Sequence, residues 1–531
     1  MPARAIDRTL ERRLAALVNS REPGIVQAGR RGLEREALRV TPAGRLARTP
    51  HPRALGSALT HPSITTDFSE SLIELVTPTF HDNASLQEFL LGLHAFVVRH
   101  LDGELLWASS MPCEIAGQDE IPIARYGSSH AGQFKHIYRR GLKNRYGAMM
   151  QAIAGVHFNY SFPNSFWPAY ADLCQSHDHG ADFISARYID LLRNFRRHGW
   201  LLSWLFGASP ALCSSFLPGQ RATGLQQGAA GTLLAPCGTS LRMSDLGYRN
   251  RDQSAVTVSV NALSEYLRDL RHAVNTPHAA FAKIGVKVDG EYRQLNANIL
   301  QIENEYYSSI RPKRVPRAGE HMSQALSRRG VEYIEVRALD LNPYEPTGVS
   351  LRELHLVEAF LLLLLLQDSP PLDSSEQEAL DRNFLAVARD GREPGLVLER
   401  NGRRTELVGW AAELLEGLQA TCELLDGTHP ERPYSGALNS LGGPGAAAEN
   451  GPAARWLREM RENRSGFADL ALSYSRQHRD TLAAYSLSDA VRQRLEAQAI
   501  ESLEQQSRRE AADTGSFDDY LRNFFESQFT E

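Results

Sequence analysis

Arg31-Gly32-Leu33-Glu34-Arg35-Glu36-Ala37-Leu38-Arg39-Val40 reads as a β-strand. On a strand successive side chains point to opposite faces, so Glu34 and Glu36 share one of them. Two neighbouring carboxylates repel each other and resist burial unless a cation lies between them. A solvated surface would explain one such pair. The same two-residue rhythm recurs downstream, and the recurrence favours a site.

Three further segments repeat the pattern. In Leu72-Ile73-Glu74-Leu75-Val76-Thr77 one acid interrupts a β-prone apolar run, with Asp67 just upstream. In Val156-His157-Phe158-Asn159-Tyr160-Ser161-Phe162 the polar His157, Asn159 and Ser161 share one face and the aromatics take the other. In Tyr333-Ile334-Glu335-Val336-Arg337-Ala338, Glu335 and Arg337 lie opposite Ile334, Val336 and Ala338. Leu300-Gln301-Ile302-Glu303-Asn304-Glu305 is a fifth candidate strand and alternates less cleanly. An antiparallel sheet with one apolar face under helices and one polar face open to ligand produces this code. Glu34, Glu36, Asp67, Glu74, His157 and Glu335 then form a candidate site for hard divalent cations, since oxygen-rich donors with one imidazole suit magnesium or manganese.

The chain has 531 residues, 42% of them hydrophobic, enough for a large core in one domain or several. A net charge of −5 argues against a nucleic-acid-binding or anionic-membrane surface. The five cysteines are scattered, without a zinc spacing, and their odd number disfavours a disulfide framework. Residues 1–18 are charged and amphipathic and lack a signal-peptide core. The apolar run 359–366 is too short to span a bilayer; it reads as a buried helix starting near Arg352 and ended by Pro370 and Pro371. A cytoplasmic protein is expected.

Strand and helix patterns alternate without an evident linker as far as Pro371. Ser85 and Glu88 suggest a capping box for a core helix whose apolar positions include Leu86, Leu90, Leu93 and Val97. Residues 183–205 read as one long helix. Beyond Pro371 the chain is mostly helical in pattern, with a hairpin at 396–408 turning on Asn401-Gly402. Residues 436–452 read as a Gly-rich loop, and 488–511 as a solvated surface helix. Two regions are therefore expected: a catalytic sheet-and-helix core, 1–371, and a helical C-terminal region, 372–531, packed on it. There is no Gly-Lys dipeptide and no GxGxxG, so a nucleotide would need a device other than a P-loop. Basic residues concentrate at 138–146 and 310–314. Facing a carboxylate–metal surface, they would supply the positive charge that phosphates need.

Several of these motifs together resemble a known family. Arg31-Gly-Leu-Glu-Arg-Glu36, Ile64-Thr-Thr-Asp-Phe68, Leu142-Lys-Asn-Arg-Tyr-Gly147, Gly155-Val-His157, Phe206-Gly-Ala-Ser-Pro210, Thr239-Ser-Leu-Arg242, Ser244-Asp-Leu-Gly-Tyr248, Ile310-Arg-Pro-Lys-Arg314 and Glu332-Tyr-Ile-Glu-Val-Arg337 are similar, in order, to motifs of the proteobacterial type 1 glutamate–cysteine ligases (γ-glutamylcysteine synthetases). The match runs from about residue 24 to about residue 368. The resemblance implies an α+β fold related to glutamine synthetase: a curved, largely antiparallel sheet whose concave face holds the metals, backed by helices. It implies ATP-dependent joining of the γ-carboxylate of L-glutamate to the amine of L-cysteine through a γ-glutamyl phosphate, the first step of glutathione biosynthesis. ATP and Mg²⁺ are the implied cofactors, with Mn²⁺ also suited, and no protein nucleophile is needed. The six residues named above match the family's metal positions. Arg337 is expected to stabilise the transferring phosphoryl group, and Arg139, Arg311, Lys313 and Arg314 to contact phosphate. Arg242 is expected to hold glutamate, while Tyr138, Leu142, Gln151, Tyr248, Asn304 and Tyr307 line the cysteine pocket. A monomer is expected, with no nucleic-acid or membrane partner.

The run Leu234-Ala-Pro-Cys-Gly238 and the Gly- and Gln-rich loop before it depart from the family pattern. One alternative is another glutamine-synthetase-like carboxylate–amine ligase with a different amine acceptor. A metal-binding or hydrolytic protein is a second, which the basic 311–314 segment and Arg337 disfavour, since hydrolysis needs no triphosphate clamp.

Overall fold

The computed structural model describes residues 8–19, 24–217, 224–247, 257–317 and 319–527. Seven strands form its main sheet: β1 Arg30–Val40, β2 Ile64–Thr66, β3 Leu72–Val76, β4 Leu105–Leu106, β5 Val156–Ser161, β6 Ile310–Lys313 and β7 Tyr333–Leu339. Their order is β6-β7-β5-β1-β3-β2, with β4 paired to the end of β1. Every pairing in it is antiparallel. The strand code is realised as read: Leu33, Ile73, Leu75, Phe158, Tyr160, Ile334 and Val336 are all buried. They lie on the side covered by helices, away from the glutamates.

The helices used below are α1 Arg8–Val18, α2 Asn83–Val98, α3 His130–Tyr146, α4 Ala181–His198, α5 Leu351–Leu366, α6 Ser374–Asp390, α7 Leu407–Asp426, α8 Phe467–Ala484, α9 Asp489–Ala512 and α10 Phe517–Ser527. α2 packs on β1 and β3, α4 on β6, and α5 against both helices. The start of α5 is fixed by a capping box, Ser350 with Glu353, and the helix is buried along nearly its whole length. Among the described residues no helix is long and apolar enough to cross a membrane.

Four local expectations are corrected. Leu300 to Glu305 is not a strand; it ends in a short 3₁₀ turn, Glu303–Glu305. Two contacts hold it there: the Gln301 amide donates to Glu305 Oε2 (2.7 Å), and Glu305 Oε1 pairs with Arg145 (3.0 Å). The cap of α2 is Asp82, which accepts from the Ser85 amide, so Ser85 and Glu88 lie inside the helix. Residues 183–205 are split at Gly199, whose amide closes α4 on the Phe195 carbonyl before a second helix, Trp200–Phe206, begins. Residues 436–452 are largely helical, in Pro433–Asn439 and Pro444–Asn450. Each starts with proline at its first position, where the missing N–H costs no hydrogen bond.

The hairpin turns at Asn401-Gly402 as expected, both residues having positive φ. α9 is a largely exposed helix over the span expected. The C-terminal helices lie on the core: α7 on α5, α8 and α9 on α2, and α10 on α3. Trp410, Leu418, Trp456 and Phe467 belong to the same apolar core as Leu33, Phe158 and Leu361.

Candidate active site

Strand register brings the polar residues together. Glu34 stands opposite His157 on β5, and Glu36 opposite Glu74 on β3. Glu335 stands opposite Asn159, and Arg311 opposite Glu335. All of these side chains therefore share the face of the sheet opposite the apolar one, where Glu36, His157, Arg311 and Glu335 are buried. His157 Nδ1 lies 3.0 Å from Glu34 Oε2 and 3.9 Å from Glu335 Oε1, while its Nε2 lies 3.6 Å from Glu36 Oε1. One donor atom each from Glu34, Glu74 and His157 fall within 4.8 Å of one another. Asn159 donates to Glu34 Oε1 (3.0 Å), and the Gly155 amide to Glu36 Oε2 (2.8 Å).

Cations stand at both edges of this face, Lys313 and Arg337 on β6 and β7 and Arg139 beside Asp67 at the β2 edge. Arg337 Nη1 donates to Glu335 Oε1 (3.1 Å), and Lys313 Nζ is 3.4 Å from Glu335 Oε2. Arg139 on α3 donates through Nε to the Asp67 carbonyl. The electrostatics divide the acids. Burial pushes Glu74 well up, aided by the charges of Glu34, Asp67 and Glu36. Burial also raises Glu36 against the pull of His157. Burial opposes ionisation of Glu335 too, but Lys313 and Arg337 outweigh it and hold its pKa far below the carboxylate range. Glu34 is lowered: burial and Glu335 push it up, and the hydrogen bond and charge of His157 win. Burial thus outweighs the neighbouring cations at Glu36 and Glu74, whereas at Glu335 the cations outweigh burial.

That donor chemistry fits hard divalent cations: several carboxylates, one imidazole, and a buried Glu335 Oε2 that accepts no hydrogen bond from the described residues and has only the Lys313 ammonium, 3.4 Å away, as an ion-pair partner among them. Glu34, Glu36, Glu74, His157 and Glu335 are the residues that could hold them. Asp67, just past β2, contributes charge to Glu36 and Glu74.

The remaining expected residues fall in different places. Arg242 is fully buried; its Nη2 donates to the Arg337 carbonyl (2.9 Å) and its charge acts on Glu36. Its path requires Gly155, since a Cβ there would lie 2.1 Å from Arg242 Nη2. Burial, aided by the charge of Glu305, pushes the Tyr138 hydroxyl's pKa up and keeps it neutral. Leu142 is buried on α3, and Gln151 is half-buried in the turn Met150–Ala152. Tyr307 donates to Met243 Sδ (3.4 Å). Asn304 is exposed, and its carbonyl accepts from Arg311 (3.2 Å). Arg314 alternates away from Arg311 and Lys313 and donates to the Gly330 carbonyl (2.6 Å), so it is not brought to this face. Tyr248 lies outside the described residues.

Two members were missed. Asn159 anchors Glu34, and its alternation with His157 was a legible signal. Lys135 precedes Tyr138, Arg139 and Leu142 by three, four and seven positions, a helical face readable from spacing. Burial, with Arg139 nearby, pushes its pKa down to about 8, and its charge is coupled to Glu74 and Asp67.

Residues 14–387 match the family model described as glutamate-cysteine ligase. A glutamate–cysteine ligase of Azotobacter vinelandii is 50% identical over 96% of this chain and 97% of its own length. The chain belongs to the glutamate–cysteine ligase family. A relative of the same name from Alcanivorax borkumensis is 47% identical over 97% of this chain and 99% of its own. Among solved structures, a Francisella tularensis glutamate–cysteine ligase in complex with AMP superposes with a TM-score of 0.88 at 34% identity, covering 94% of this chain and 98% of that one. A bifunctional glutathione synthetase from Pasteurella multocida gives 0.67 at 25% identity, covering 89% of this chain and 54% of that one. The superpositions agree with the mixed fold built on a largely antiparallel sheet.

Proposed function

We propose that this protein couples ATP consumption to joining the γ-carboxylate of L-glutamate to the amine of L-cysteine, the first step of glutathione biosynthesis. Support comes from nearly full-length likeness to glutamate–cysteine ligases, one of them bound to AMP. The observation that carries the reading is one sheet face that sets carboxylates, around Glu34, Glu36 and Glu74, between cations, Arg337, Lys313 and Arg311 at one edge and Arg139 at the other.

A carboxylate is a poor electrophile, so it must be activated, and attack on the γ-phosphorus of ATP brings one anion onto another. In this reading Arg337, Arg311, Lys313 and Arg139 neutralise the phosphates, with Arg337 at the transferring group. Glu34, Glu36, Asp67, Glu74, His157 and Glu335 would hold Mg²⁺, which when bound neutralises the nucleotide's charge. Arg242, anchored on the Arg337 carbonyl, fixes the wall for glutamate. Tyr138, Leu142, Gln151, Asn304 and Tyr307 form the acceptor wall, where an apolar slot suits a small thiol and phenol or amide groups suit a carboxylate. The cysteine amine then attacks the acyl phosphate and phosphate leaves, so none of the five cysteines of the chain is required.

The test is phosphate release by purified protein with ATP, Mg²⁺ and L-glutamate, with and without L-cysteine. Cysteine-dependent release is expected. Release that ignores cysteine but rises with another amine would overturn the acceptor, and the absence of any glutamate-dependent release would overturn the reading.

A further inference from the structure

We propose that the C-terminal helix α10 is a positioning element for the acceptor wall, with Leu521 and Phe524 as its positioning residues. The proposal rests on the assignment of α3 and Tyr138 made above. α10 ties together four segments that are far apart in sequence. On α3, Phe134 packs against Phe524 with ring centroids 4.5 Å apart. On the hairpin at 287–292, Lys287 pairs with Asp518 (3.0 Å) and Tyr292 donates to the same carboxylate (2.6 Å). At the start of the helix Met322–Arg329, His321 packs edge-to-face against Phe524 (ring centroids 4.7 Å apart) and Gln324 donates to the Ser527 carbonyl (2.8 Å). The fourth segment is the 300–305 turn.

Those contacts converge on the site through one small apolar cluster. Leu521, Ile137 and Leu295 are its buried members, and Tyr138, Ile302, Phe134 and Phe517 pack around them. Tyr138 therefore rests its ring on the cluster that Leu521 completes, and its neighbour Arg139 donates to the Asp67 carbonyl at the site. Ile302 rests on the same cluster, and Gln301 Nε2 of that turn donates to the Tyr138 carbonyl (3.2 Å). Both halves of the acceptor wall, Tyr138 and the turn leading to Asn304 and Tyr307, thus touch this cluster on one side, while Tyr138, Leu300 and Tyr307 reach the main core on the other. The cluster is separate from the main core, which holds the sheet and α5. A substitution at Leu521 consequently acts on α3 and the 300–305 turn without opening the interior. Arg337, Lys313 and the glutamates sit on strands and do not depend on α10.

The experiment uses full-length Leu521→Asp, Phe524→Ala and the conservative Leu521→Met. It measures kcat and KM for cysteine, glutamate and ATP, together with amide hydrogen exchange. Leu521→Asp and Phe524→Ala are expected to raise KM for cysteine tenfold or more and KM for ATP by less, since Arg139 shares α3 with Tyr138, while KM for glutamate stays within twofold. Leu521→Met is expected to match the parent. Protection of amides in 130–146 should fall in Leu521→Asp while that of α5 is unchanged. An unchanged KM for cysteine, or equal loss of all parameters in proportion to the folded fraction, would overturn the proposal. If the parent shows no cysteine-dependent phosphate release, the function reading fails instead. Hydrogen exchange then decides the positioning role: unchanged protection of 130–146 in Leu521→Asp overturns it, and selective loss upholds it.

Discussion

Glu34 accepts from Asn159, lies 3.0 Å from His157 and shares a ligand-sized space with Glu74, so its charge is constrained on every side. Glu34→Gln keeps the shape and removes a formal charge from an acid-crowded face. Glutamate-dependent phosphate release should fall on the order of 10²-fold or more, while the melting temperature without metal falls slightly, because the hydrogen bond and charge of His157 favour the Glu34 carboxylate more than burial and Glu335 oppose it. Steady-state kinetics and thermal melts check both signs. Gly155→Ala would place a methyl on the Arg242 guanidinium; a loss of roughly 1–3 kcal/mol in denaturant titration is expected, as for overpacking elsewhere. The glutamates and His157 were legible as single residues because alternation assigns a face locally. Arg31, Arg35 and Arg39 were not: they occupy the opposite face of β1 and are nevertheless buried, at 1%, 2% and 0% exposed. Only knowledge of their partners, such as Glu358 for Arg31 and Glu104 for Arg39, explains how a helix-covered face accepts guanidinium groups.

Elements are joined by a buried network at Glu358 of α5. It pairs with Arg31 of β1 and accepts from Asn83 of α2 (2.8 Å), Tyr160 of β5 (3.2 Å) and Tyr434 of the C-terminal region (2.9 Å). In sequence Glu358 only flanks an apolar run; in the fold it is a shared acceptor for four elements. Glu358→Leu strands a buried guanidinium and is expected to cost about 3–5 kcal/mol, read by urea unfolding, and Arg31→Met in the same background should recover part of it. Ser350→Ala removes the cap of α5 and should cost about 1 kcal/mol in the same assay. Element identity was legible wherever periodicity was strong, as in α5 and the 397–406 hairpin. It failed where capping was decided by a neighbour: Asp82 ahead of Ser85, Gly199 between two helices, and prolines that begin helices rather than end them.

The whole molecule responds to pH through histidines buried in neutral form. Burial lowers His61 and His355 to about 4 and His198 to about 3. The unfolded chain protonates these rings near pH 6.5, before the folded one does. Their contribution is therefore complete above pH 6.5 and is lost as pH falls from there to about 4, at up to roughly 1.4 kcal/mol per pH unit for each ring. The melting temperature should drop across that window, and His355→Phe, which keeps the ring against Tyr434, should flatten the slope. A slope unchanged by that substitution would rule out the His355 share.

Sequence by itself determined the alternating faces, the helix at 351–366 and the residue types of the site, because period and composition are local properties of the chain. Tertiary structure alone decided that β1 lies between β5 and β3. That order sets Glu34 against a histidine 123 residues away and Glu36 against Glu74. It also decided that the C-terminal helices share the interior. Pairing partners and register minimise the burial cost of the whole chain, and no local window of sequence contains that sum.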